Sequence, residues 1–370
     1  MPKILFVTTL PFYPDSSGGA EQSSLYLFKS LRQLGWQIEV ICGLSLRSQY
    51  FRRACWQAIV RLRKLSLCVM DEDLGYPCWR QITRFSKERQ WSECLDQRLH
   101  QYRPDVLLSH NIPPYPLLNY AARQGYPSFY FIRSFIKNII EDDSIIIPDE
   151  IDVIANSPFT ASTIAQFTQK EVGVVLPFLD LDQYRVKKRE RQYITFINPI
   201  PPKGLDVAIE IARCLPQERF LFVKSKWGNY SAREINSFIK PVYELPNVEV
   251  WDYQQDMRRV YAVTDILLVP SQFIETFGRV IVEAQVNGIP VVAANVGGIP
   301  YTLAKGGILV EPKNEPQAYV EALRRLRTDE NLYMQLSALA LENSQRSEFD
   351  PQCQVNNFIR FVESRIKDTS

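Results

Sequence analysis

The sequence has few of the residues and patterns that mark several large classes of protein. Its 370 residues include only two histidines and seven cysteines, and no two cysteines stand in the C-x-x-C spacing of a zinc or dithiol redox site. The cysteines are odd in number and widely spaced, which is typical of buried thiols in a reducing compartment. No run of about 18 apolar residues is present, so we expect no segment that spans a membrane.

The charges and the first residues favour an ordinary globular protein. The formal net charge of +2 neither demands nor excludes a nucleic-acid partner, and we expect none. Lys3 is followed by a short apolar strand rather than by an apolar region with a cleavage site, so no signal peptide is indicated and the expected location is the cytoplasm. The length of 370 residues predicts two domains.

Short apolar strands alternate with amphipathic helices in two consecutive blocks of the sequence. This order predicts an α/β protein with two doubly wound, Rossmann-like domains. We place the first domain at residues 1–180, a charged linker at 181–192, the second domain at 193–345 and a last amphipathic helix within 346–370. Ligands of such sheets bind at the carboxyl ends of the strands, so the loops there hold the candidate functional residues.

The most informative stretch is a strand, a loop and a helix within residues 265–288. A buried strand is predicted at 265–269, and a helix is predicted from near Phe277 to Gly288. The start of a helix favours phosphate, and Gly278 lets a phosphate approach the backbone closely. Arg279 adds a cation at the same point. This stretch therefore predicts a phosphate site.

Two carboxylates, Glu275 and Glu283, flank the predicted phosphate site. Like charges repel, so these acids are better suited to accept hydrogen bonds from sugar hydroxyls than to contact phosphate. One phosphate site between two such acids suits a nucleotide sugar, with ribose on one side and the transferred sugar on the other. The alternative is an ordinary βαβ unit with a solvated Glu283, which the apolar neighbours of that residue disfavour.

The spacing Glu275, seven residues, Glu283, with Phe277-Gly278 between, resembles the donor-site signature of the retaining family-4 glycosyltransferases. The resemblance implies the GT-B fold, in which two Rossmann-like domains face each other across a cleft. It implies that Glu275 contacts the donor sugar, that Glu283 holds the ribose hydroxyls, and that Phe277 and Gly278 offer backbone N–H groups. It also implies that the last helix crosses back onto the first domain.

Residues 198–204 resemble the family's Arg-x-x-x-x-Lys-Gly loop, whose two cations hold the donor diphosphate. Lys203 matches the lysine and is expected to stabilise charge on the leaving diphosphate, whereas Asn198 stands at the arginine position. Lys224 or Lys226, at the next strand end, could supply the missing charge. The alternative for Lys203 is a solvated loop lysine.

A glycine turn later in the second block also belongs to the resemblance. Gly297-Gly298 followed by Ile-Pro resembles a family element that lines the donor site. Relatives usually continue with Glu, where this chain has Tyr301.

Four residues of the first block are candidates for the acceptor or sugar side. Gly18 and Gly19 resemble the family's Gly-Gly loop over the donor phosphates or the acceptor, although a plain tight turn explains them equally well. His110 ends a strand where family members commonly have a histidine facing the cleft, and a structural role is the alternative. Arg133 ends the next strand, where many relatives have a histidine that meets the transferred sugar.

Two charged segments remain outside these motifs. Residues 47–70 mix basic and apolar side chains, so they form either a helix that contacts an anionic membrane or a packed helix with a solvated basic face. The segments Asp71-Glu72-Asp73 and Asp180-Leu181-Asp182 could be mistaken for a metal-binding D-x-D motif, but we expect solvated loop charges. No metal and no cofactor are therefore predicted, with the nucleoside-diphosphate sugar as co-substrate.

Together the motifs predict a retaining, metal-independent glycosyltransferase of the hexosyltransferase type, with a role in polysaccharide biosynthesis. The donor is a nucleoside-diphosphate sugar, and the acceptor is a glycan, a lipid-linked glycan or a small molecule. Peripheral contact with the inner face of a membrane is possible through residues 47–70. One alternative is a nucleotide-sugar epimerase. The other is a nucleotide-sugar-binding pseudoenzyme or sensor, which is favoured by the departures at Asn198, Arg133 and Tyr301.

Overall fold

The computed structural model describes residues 1–16, 18–46, 48–60, 68–82, 88–110, 115–134, 147–168, 170–225 and 230–367. The chain forms two compact units. The first unit contains Met1–Asn156, Ala161–Phe178 and Gln354–Ser370, and the second contains Ser157–Thr160 and Leu179–Cys353. Each unit has its own parallel sheet, so the predicted α/β class and its two doubly wound domains are confirmed.

The first unit is built on an eight-stranded sheet among the described residues, in the order β3-β4-β2-β1-β5-β6-β7-β8. Its strands are parallel except for the antiparallel pair of β3 and β4. The elements of this half of the chain are β1 (Lys3–Pro11), α1 (Gly19–Gln33), β2 (Gln37–Leu44), α2 (Gln49–Val60), β3 (Cys68–Asp71), β4 (Cys78–Ile82), α3 (Glu88–Tyr102), β5 (Val106–His110), α4 (Tyr115–Arg123), β6 (Ser128–Ile132), β7 (Ile151–Ala155), α5 (Pro158–Thr168) and β8 (Val172–Val174).

Both faces of this sheet are covered, which explains why its strands are continuously apolar. On one face, Ile4 and Phe6 of β1 pack in a core cluster with residues of α1 such as Phe28 and with Phe358 near the end of the chain. On the other face, Leu5 and the β1 side chains that point the same way pack against residues of α3 and α4. Parallel pairing brings the carboxyl ends of β1, β5 and β6 to one edge of the sheet.

The structure corrects the expectation that Asp71 is a solvated loop charge. Asp71 ends β3 and is buried, and its Oδ2 atom lies 2.6 Å from Nε of the fully buried Arg80 on β4. Arg80 also donates to the backbone oxygen of Tyr13 and stacks over the Tyr50 ring. These two strands lack a clear apolar pattern because they are stabilised by a buried ion pair. Asp182, in the second of the two D-x-D segments, is 85% exposed.

The second unit contains a six-stranded parallel sheet in the order β11-β10-β9-β12-β13-β14 among the described residues. Its elements and those that follow are β9 (Tyr193–Ile197), α6 (Leu205–Cys214), β10 (Phe220–Val223), α7 (Ala232–Phe238), β11 (Val248–Trp251), α8 (Arg258–Val263), β12 (Thr264–Val269), α9 (Arg279–Gln285), β13 (Val291–Ala294), α10 (Ile299–Leu303), β14 (Gly307–Val310), α11 (Pro316–Thr328), α12 (Glu330–Ser344) and α13 (Pro351–Lys367). Short 3₁₀ helices lie at Leu181–Tyr184, Pro201–Lys203, Lys240–Glu244 and Ser347–Phe349.

The segment 181–192, which we placed as a linker, is bound to the second unit. Arg189 donates to the backbone oxygens of Asn287 and Gly288 at 3.0 and 2.7 Å. Nε of Arg191 lies 2.8 Å from the buried Asp265. The charged composition resembles a solvated linker, but these arginines have specific partners. At the other end, residues up to Cys353 belong to the second unit, and the return to the first unit begins at Gln354 rather than at 346.

The described part of the basic segment 47–70 includes helix α2. Tyr50 and Ala54 are buried, whereas Trp56, Ile59 and Val60 are 64%, 73% and 57% exposed. Arg47 and residues 61–67 lie outside the described residues. Across the described ranges, no helix combines the length and the apolar character needed to cross a bilayer.

We predict that Asp265 is important for the stability of the second unit. Its side chain is 1% exposed and lies 2.8 Å from Arg191, with Arg327 as a second partner. Replacing Asp265 with Ala leaves both guanidinium groups without this charge, and we expect a loss of about 2–3 kcal/mol in the free energy of unfolding. Urea denaturation followed by circular dichroism measures this loss in the free energy of unfolding.

The matched control is Glu330→Gln, which removes the other carboxylate that contacts Arg191. Glu330 is 66% exposed, so its ion pair with Arg191 is solvated and its loss is expected to cost less than about 1 kcal/mol. Equal midpoints for the wild type and Asp265→Ala would contradict the role given to this buried pair.

Candidate functional site

The loop between β12 and α9 is held in one conformation by its neighbours. The backbone N–H of Gln272 donates to Pro202, in the loop after the adjacent strand β9. Gly278 has a φ of +85°, in the left-handed region that favours glycine, and α9 begins directly after it. The helix therefore runs over Arg279–Gln285, shorter than the predicted span from Phe277 to Gly288. The loops after two neighbouring parallel strands thus meet at one edge of the sheet.

Glu275 and Lys203 face each other between these two loops. Glu275 is 7% exposed, and its Oε1 atom accepts hydrogen bonds from Lys203 Nζ at 2.5 Å and from Ser271 Oγ at 2.9 Å. Lys203 Nζ also lies 4.6 Å from the centre of the Phe273 ring. Lys203 is therefore not a solvated loop lysine, and the structure pairs it directly with the first predicted carboxylate.

The close approach of the two loops depends on Gly204. This residue has a φ of +88°, and a Cβ atom there would lie 1.9 Å from the backbone oxygen of Pro270. Only glycine fits both the conformation and the space. The Lys-Gly dipeptide is thus explained by geometry, because the glycine lets the loop with Lys203 lie against the loop with Glu275.

Glu283 lies on α9 in a second polar cluster and is 6% exposed. Its Oε2 atom accepts a hydrogen bond from Tyr261 at 2.8 Å, and Arg279 Nε lies 3.5 Å from its Oε1 atom. Arg279 also donates to the Tyr184 hydroxyl at 3.3 Å. The alternative of a solvated Glu283 is therefore wrong, and Arg279 lies beside this carboxylate.

The cluster around Glu283 keeps both tyrosine hydroxyls protonated. The charge of Glu283, followed by burial, raises the pKa of Tyr184 to about 12. Burial, followed by the charge of Glu283, raises the pKa of Tyr261. Both phenols are thus hydrogen-bond donors at neutral pH. Nothing in the local sequence pattern pointed to Tyr184, which lies in the segment that we interpreted as a linker.

Phe277 and Tyr301 contact a segment that the sequence analysis did not connect with the site. The Phe277 ring is 2% exposed and packs edge-on against Phe349 at 5.9 Å. The Tyr301 hydroxyl donates to Glu348, and the Arg346 guanidinium lies 4.7 Å from the Tyr301 ring. The tyrosine that replaces the family's glutamate therefore contributes to packing against residues 346–349.

The glycine turn after β13 lies against the backbone of the loop with Glu275. The backbone N–H of Gly298 donates to the backbone oxygen of Glu275 at 2.7 Å. Cβ atoms at Gly297 and Gly298 would each lie 2.1 Å from a backbone oxygen, of Glu275 and Thr276 respectively. These glycines let the turn support the carboxylate loop.

Asn198 follows β9 directly, and Lys224, one of the two lysines considered as a replacement for the missing charge, pairs with an acidic residue. Asn198 has a φ of +64°, a conformation that asparagine tolerates better than most residues, and its buried Oδ1 atom has no hydrogen-bond partner. Lys224 Nζ lies 2.9 Å from Asp252, and this hydrogen bond raises the pKa of Lys224. Lys226 lies outside the described residues.

In the first unit, His110 and Arg133 meet at the carboxyl ends of β5 and β6. Arg133 Nη1 donates to the Ala20 oxygen at 2.7 Å and to Ser24 Oγ at 2.5 Å, and lies 3.4 Å from His110 Nδ1. Arg133 is thus directed at α1, whose N-terminus contains the glycine pair. Gly18 is the residue before α1 and Gly19 is its first residue.

Two of these first-unit residues are strongly buried. His110 is 1% exposed and Arg133 is 9% exposed. Burial, followed by the charge of Arg133, lowers the pKa of His110 well below its usual range. The described residues contain no group of three or more His, Cys, Asp or Glu side chains that could hold a metal ion.

Part of the second unit is similar to a known protein family. Residues 191–329 match the model of the family described as Glycosyl transferases group 1. A D-inositol 3-phosphate glycosyltransferase of Segniliparus rotundus is 30% identical over 183 residues, which are 43% of this chain and 40% of that relative. The chain therefore spans about two fifths of the length of this curated relative.

Solved structures confirm the predicted fold over the whole chain. Sucrose-phosphate synthase from Thermosynechococcus elongatus has a TM-score of 0.76 at 15% identity and covers 100% of both chains. Anabaena HepE in complex with UDP-glucose has a TM-score of 0.72 at 19% identity and covers 98% of this chain and 99% of its own. The architecture is the GT-B fold of glycosyltransferases.

We predict that Gly298→Ala disturbs the carboxylate loop. The φ of Gly298 is −82°, which alanine adopts readily, so the added methyl group acts only through its contact with Thr276. We expect the backbone of 275–277 to move and the free energy of unfolding to fall by about 1–3 kcal/mol. A crystal structure of the variant and urea denaturation measure the two effects. An unmoved loop with unchanged stability would contradict the prediction.

Proposed function

We propose that this chain, which has the GT-B fold and matches the Glycosyl transferases group 1 family model over residues 191–329, is a glycosyltransferase that uses a nucleoside-diphosphate sugar. We propose further that it is a retaining, metal-independent hexosyltransferase. The main support is the 2.5 Å pair of Lys203 with the buried Glu275, close in sequence to the buried Glu283. A cation and two carboxylates held at strand ends suit a diphosphate between two sugars.

Each of these side chains has a proposed role. Glu283 accepts hydrogen bonds from the ribose hydroxyls, for which its contact with Tyr261 orients it. Glu275 orients the transferred sugar. Lys203 stabilises the charge that develops on the diphosphate, since fixed cations at developing charge are usually the largest catalytic contribution. Before donor binding, Glu275 holds Lys203 in place.

The proposed reaction breaks the bond between the anomeric carbon and the phosphate oxygen and forms a bond from that carbon to an acceptor oxygen. The acceptor proton moves to the leaving phosphate on the same face of the sugar. No separate general base is then required. With asparagine at position 198, Lys203 carries a larger part of the charge stabilisation than in relatives with an arginine there.

One guide to the donor is the complex of Anabaena HepE with UDP-glucose, which makes UDP-glucose the first donor to test. The acceptor is proposed to be a glycan or a lipid-linked glycan. The comparisons do not favour an epimerase, a sensor or a pseudoenzyme. The departures at Asn198 and Tyr301 have structural explanations, because a left-handed backbone suits asparagine and Tyr301 packs with Arg346.

We also propose that α2 brings the protein to an anionic membrane surface from the cytoplasmic side. Trp56, Ile59 and Val60 are strongly exposed on this helix, and Arg52 and Arg53 are exposed beside them. Exposed apolar side chains with neighbouring cations suit insertion at the level of anionic headgroups. A membrane surface would also present a lipid-linked acceptor.

We predict that the chain binds one class of nucleotide sugar through Glu283. Calorimetric titration with UDP-glucose, GDP-mannose and ADP-glucose is expected to give binding for one of them. Glu283→Gln removes the charge that accepts the ribose hydroxyls, and we expect a loss of about tenfold or more in affinity, as for a charge-assisted hydrogen bond. The matched control is Glu321→Gln, an exposed glutamate on α11 of the same unit, whose affinity should equal that of the wild type.

Lys203→Met separates binding from catalysis when its affinity for the donor and its rate of sugar release are both measured. It should lower the rate of sugar release from the bound donor by more than it lowers affinity, because charge on the diphosphate increases in the transition state. No binding of any nucleotide sugar by the folded protein would overturn the donor assignment.

We predict that the wild type sediments with vesicles containing phosphatidylglycerol and that added salt weakens this binding. Trp56→Ser together with Ile59→Ser should reduce the bound fraction severalfold, because both side chains are exposed and their replacement does not disturb the core. The control is Tyr243→Ser, an equally exposed aromatic residue of the second unit. Binding that is equal for neutral and anionic vesicles, or unchanged in the double variant, would remove the membrane proposal.

A further inference from the structure

A buried trio of Ser24, His110 and Arg133 lies at the carboxyl edge of the first unit's sheet. Three neighbouring elements contribute to it: α1 follows β1 and supplies Ser24, β5 ends with His110, and Arg133 follows β6 directly. The N–H of the Asn156 side chain donates to the Arg133 backbone oxygen at 3.1 Å, which fixes the backbone there. The guanidinium stacks over the Phe131 ring at 3.9 Å.

The contacts of this trio determine where the imidazole proton lies. Arg133 Nη1 lies 3.4 Å from His110 Nδ1. A guanidinium has hydrogen-bond donors and no acceptor, so a proton on Nδ1 would face another proton. Ser24 Oγ, 3.5 Å from Nδ1, already accepts from Arg133, which leaves its own hydrogen free to point at the same nitrogen. Nδ1 is therefore an acceptor, and the single proton of a neutral imidazole lies on Nε2.

We propose that Arg133 is a positioning residue that holds His110 as a neutral imidazole with its proton on Nε2. This strand end then presents a fixed hydrogen-bond donor to a ligand and no general base. The inference deepens the proposed function, because a sugar hydroxyl or carbonyl oxygen is the partner that an N–H donor requires. It also gives a role to the arginine that stands where many relatives have a histidine.

The surroundings of His110 support a neutral ring. Phe6 of β1 packs edge-on against the imidazole at 4.9 Å, Ser24 of α1 is uncharged, and Arg133 at the end of β6 brings a positive charge. Among the described residues, Arg133 is the ionisable group whose charge acts on the pKa of His110, in addition to burial, and both effects lower it. A second positive charge beside Arg133 is thus disfavoured at physiological pH.

This arrangement has a consequence for the chemistry. An imidazole whose Nδ1 lone pair is already engaged, and whose Nε2 carries the proton, cannot take a proton from an acceptor hydroxyl. The acceptor proton must therefore leave by another route, which agrees with its proposed transfer to the departing phosphate. His110 instead orients an oxygen of the ligand.

The first experiment is histidine-selective ¹⁵N NMR of the full chain between pH 5 and 8. The sequence has only two histidines, so His110 and the exposed His100 give two imidazole spin systems, and His100→Gln assigns them. We expect His110 to remain neutral over this range with its proton on Nε2. A proton on Nδ1, or protonation of His110 at pH 6, would overturn the proposal.

The second arm is Arg133→Met, which removes the donor and the charge but keeps an apolar stem over Phe131. We expect loss of the single tautomer and titration of His110 at a higher pH than in the wild type. The control is Arg123→Met, an exposed arginine at the end of α4, which should reproduce the wild-type spectrum. An unchanged tautomer in Arg133→Met would show that Arg133 does not set it.

If Arg133→Met does not fold, Ser24→Ala replaces it. The tautomer should then stay on Nε2, because Arg133 alone suffices, and a change of tautomer would assign the role to Ser24 instead. The pH profile of donor turnover gives a further readout: we expect an acid limb to appear in Arg133→Met that the wild type lacks. The NMR result needs no activity, so failure of the glycosyltransferase assignment and failure of this inference can be told apart.

Discussion

A carboxylate that is withdrawn from water needs a cation or several hydrogen-bond donors, and this requirement organises the second unit. Asp265 meets it with Arg191 and Arg327, which fixes the segment before β9 to the body of the unit. Glu275 meets it with Lys203, which fixes the loop after β12 to the loop after β9. The two ion pairs thus lie at opposite ends of β12: Asp265 is near its start, and Glu275 is in the loop after it.

Close backbone contact is the second constraint, and it explains why glycine recurs at the proposed site. Gly204, Gly297 and Gly298 each approach a backbone oxygen so closely that any Cβ atom would clash. Because such a contact cannot be relieved by rotating a side chain, any larger residue at these positions must displace the backbone of a loop. A pair such as Lys203 and Glu275 can then be held at hydrogen-bond distance without a ligand to order it.

Much of the fold and of the proposed site could be predicted from the sequence, because the strands near the site are apolar and several of the few glycines stand in recognisable motifs beside them. The strands β3 and β4 could not, since a buried Asp71–Arg80 pair replaces the expected apolar pattern. The roles of Tyr184 and of residues 346–349 also escaped prediction. They depend on contacts between residues that are far apart in the sequence, Arg279 with Tyr184 and Tyr301 with Glu348. No local periodicity records such contacts.

Two of the three residues at which this chain departs from the family motifs, Arg133 and Tyr301, make specific contacts in the structure. Arg133 binds α1 and His110, and Tyr301 packs against Arg346. At the proposed donor site, Asn198 lacks the positive charge that the resembled motif has at this position. In a site with fewer cations, the remaining lysine must be positioned well before the donor arrives. The direct pairing of Lys203 with Glu275 provides that positioning, and it requires the incoming diphosphate to compete with a carboxylate for the same cation.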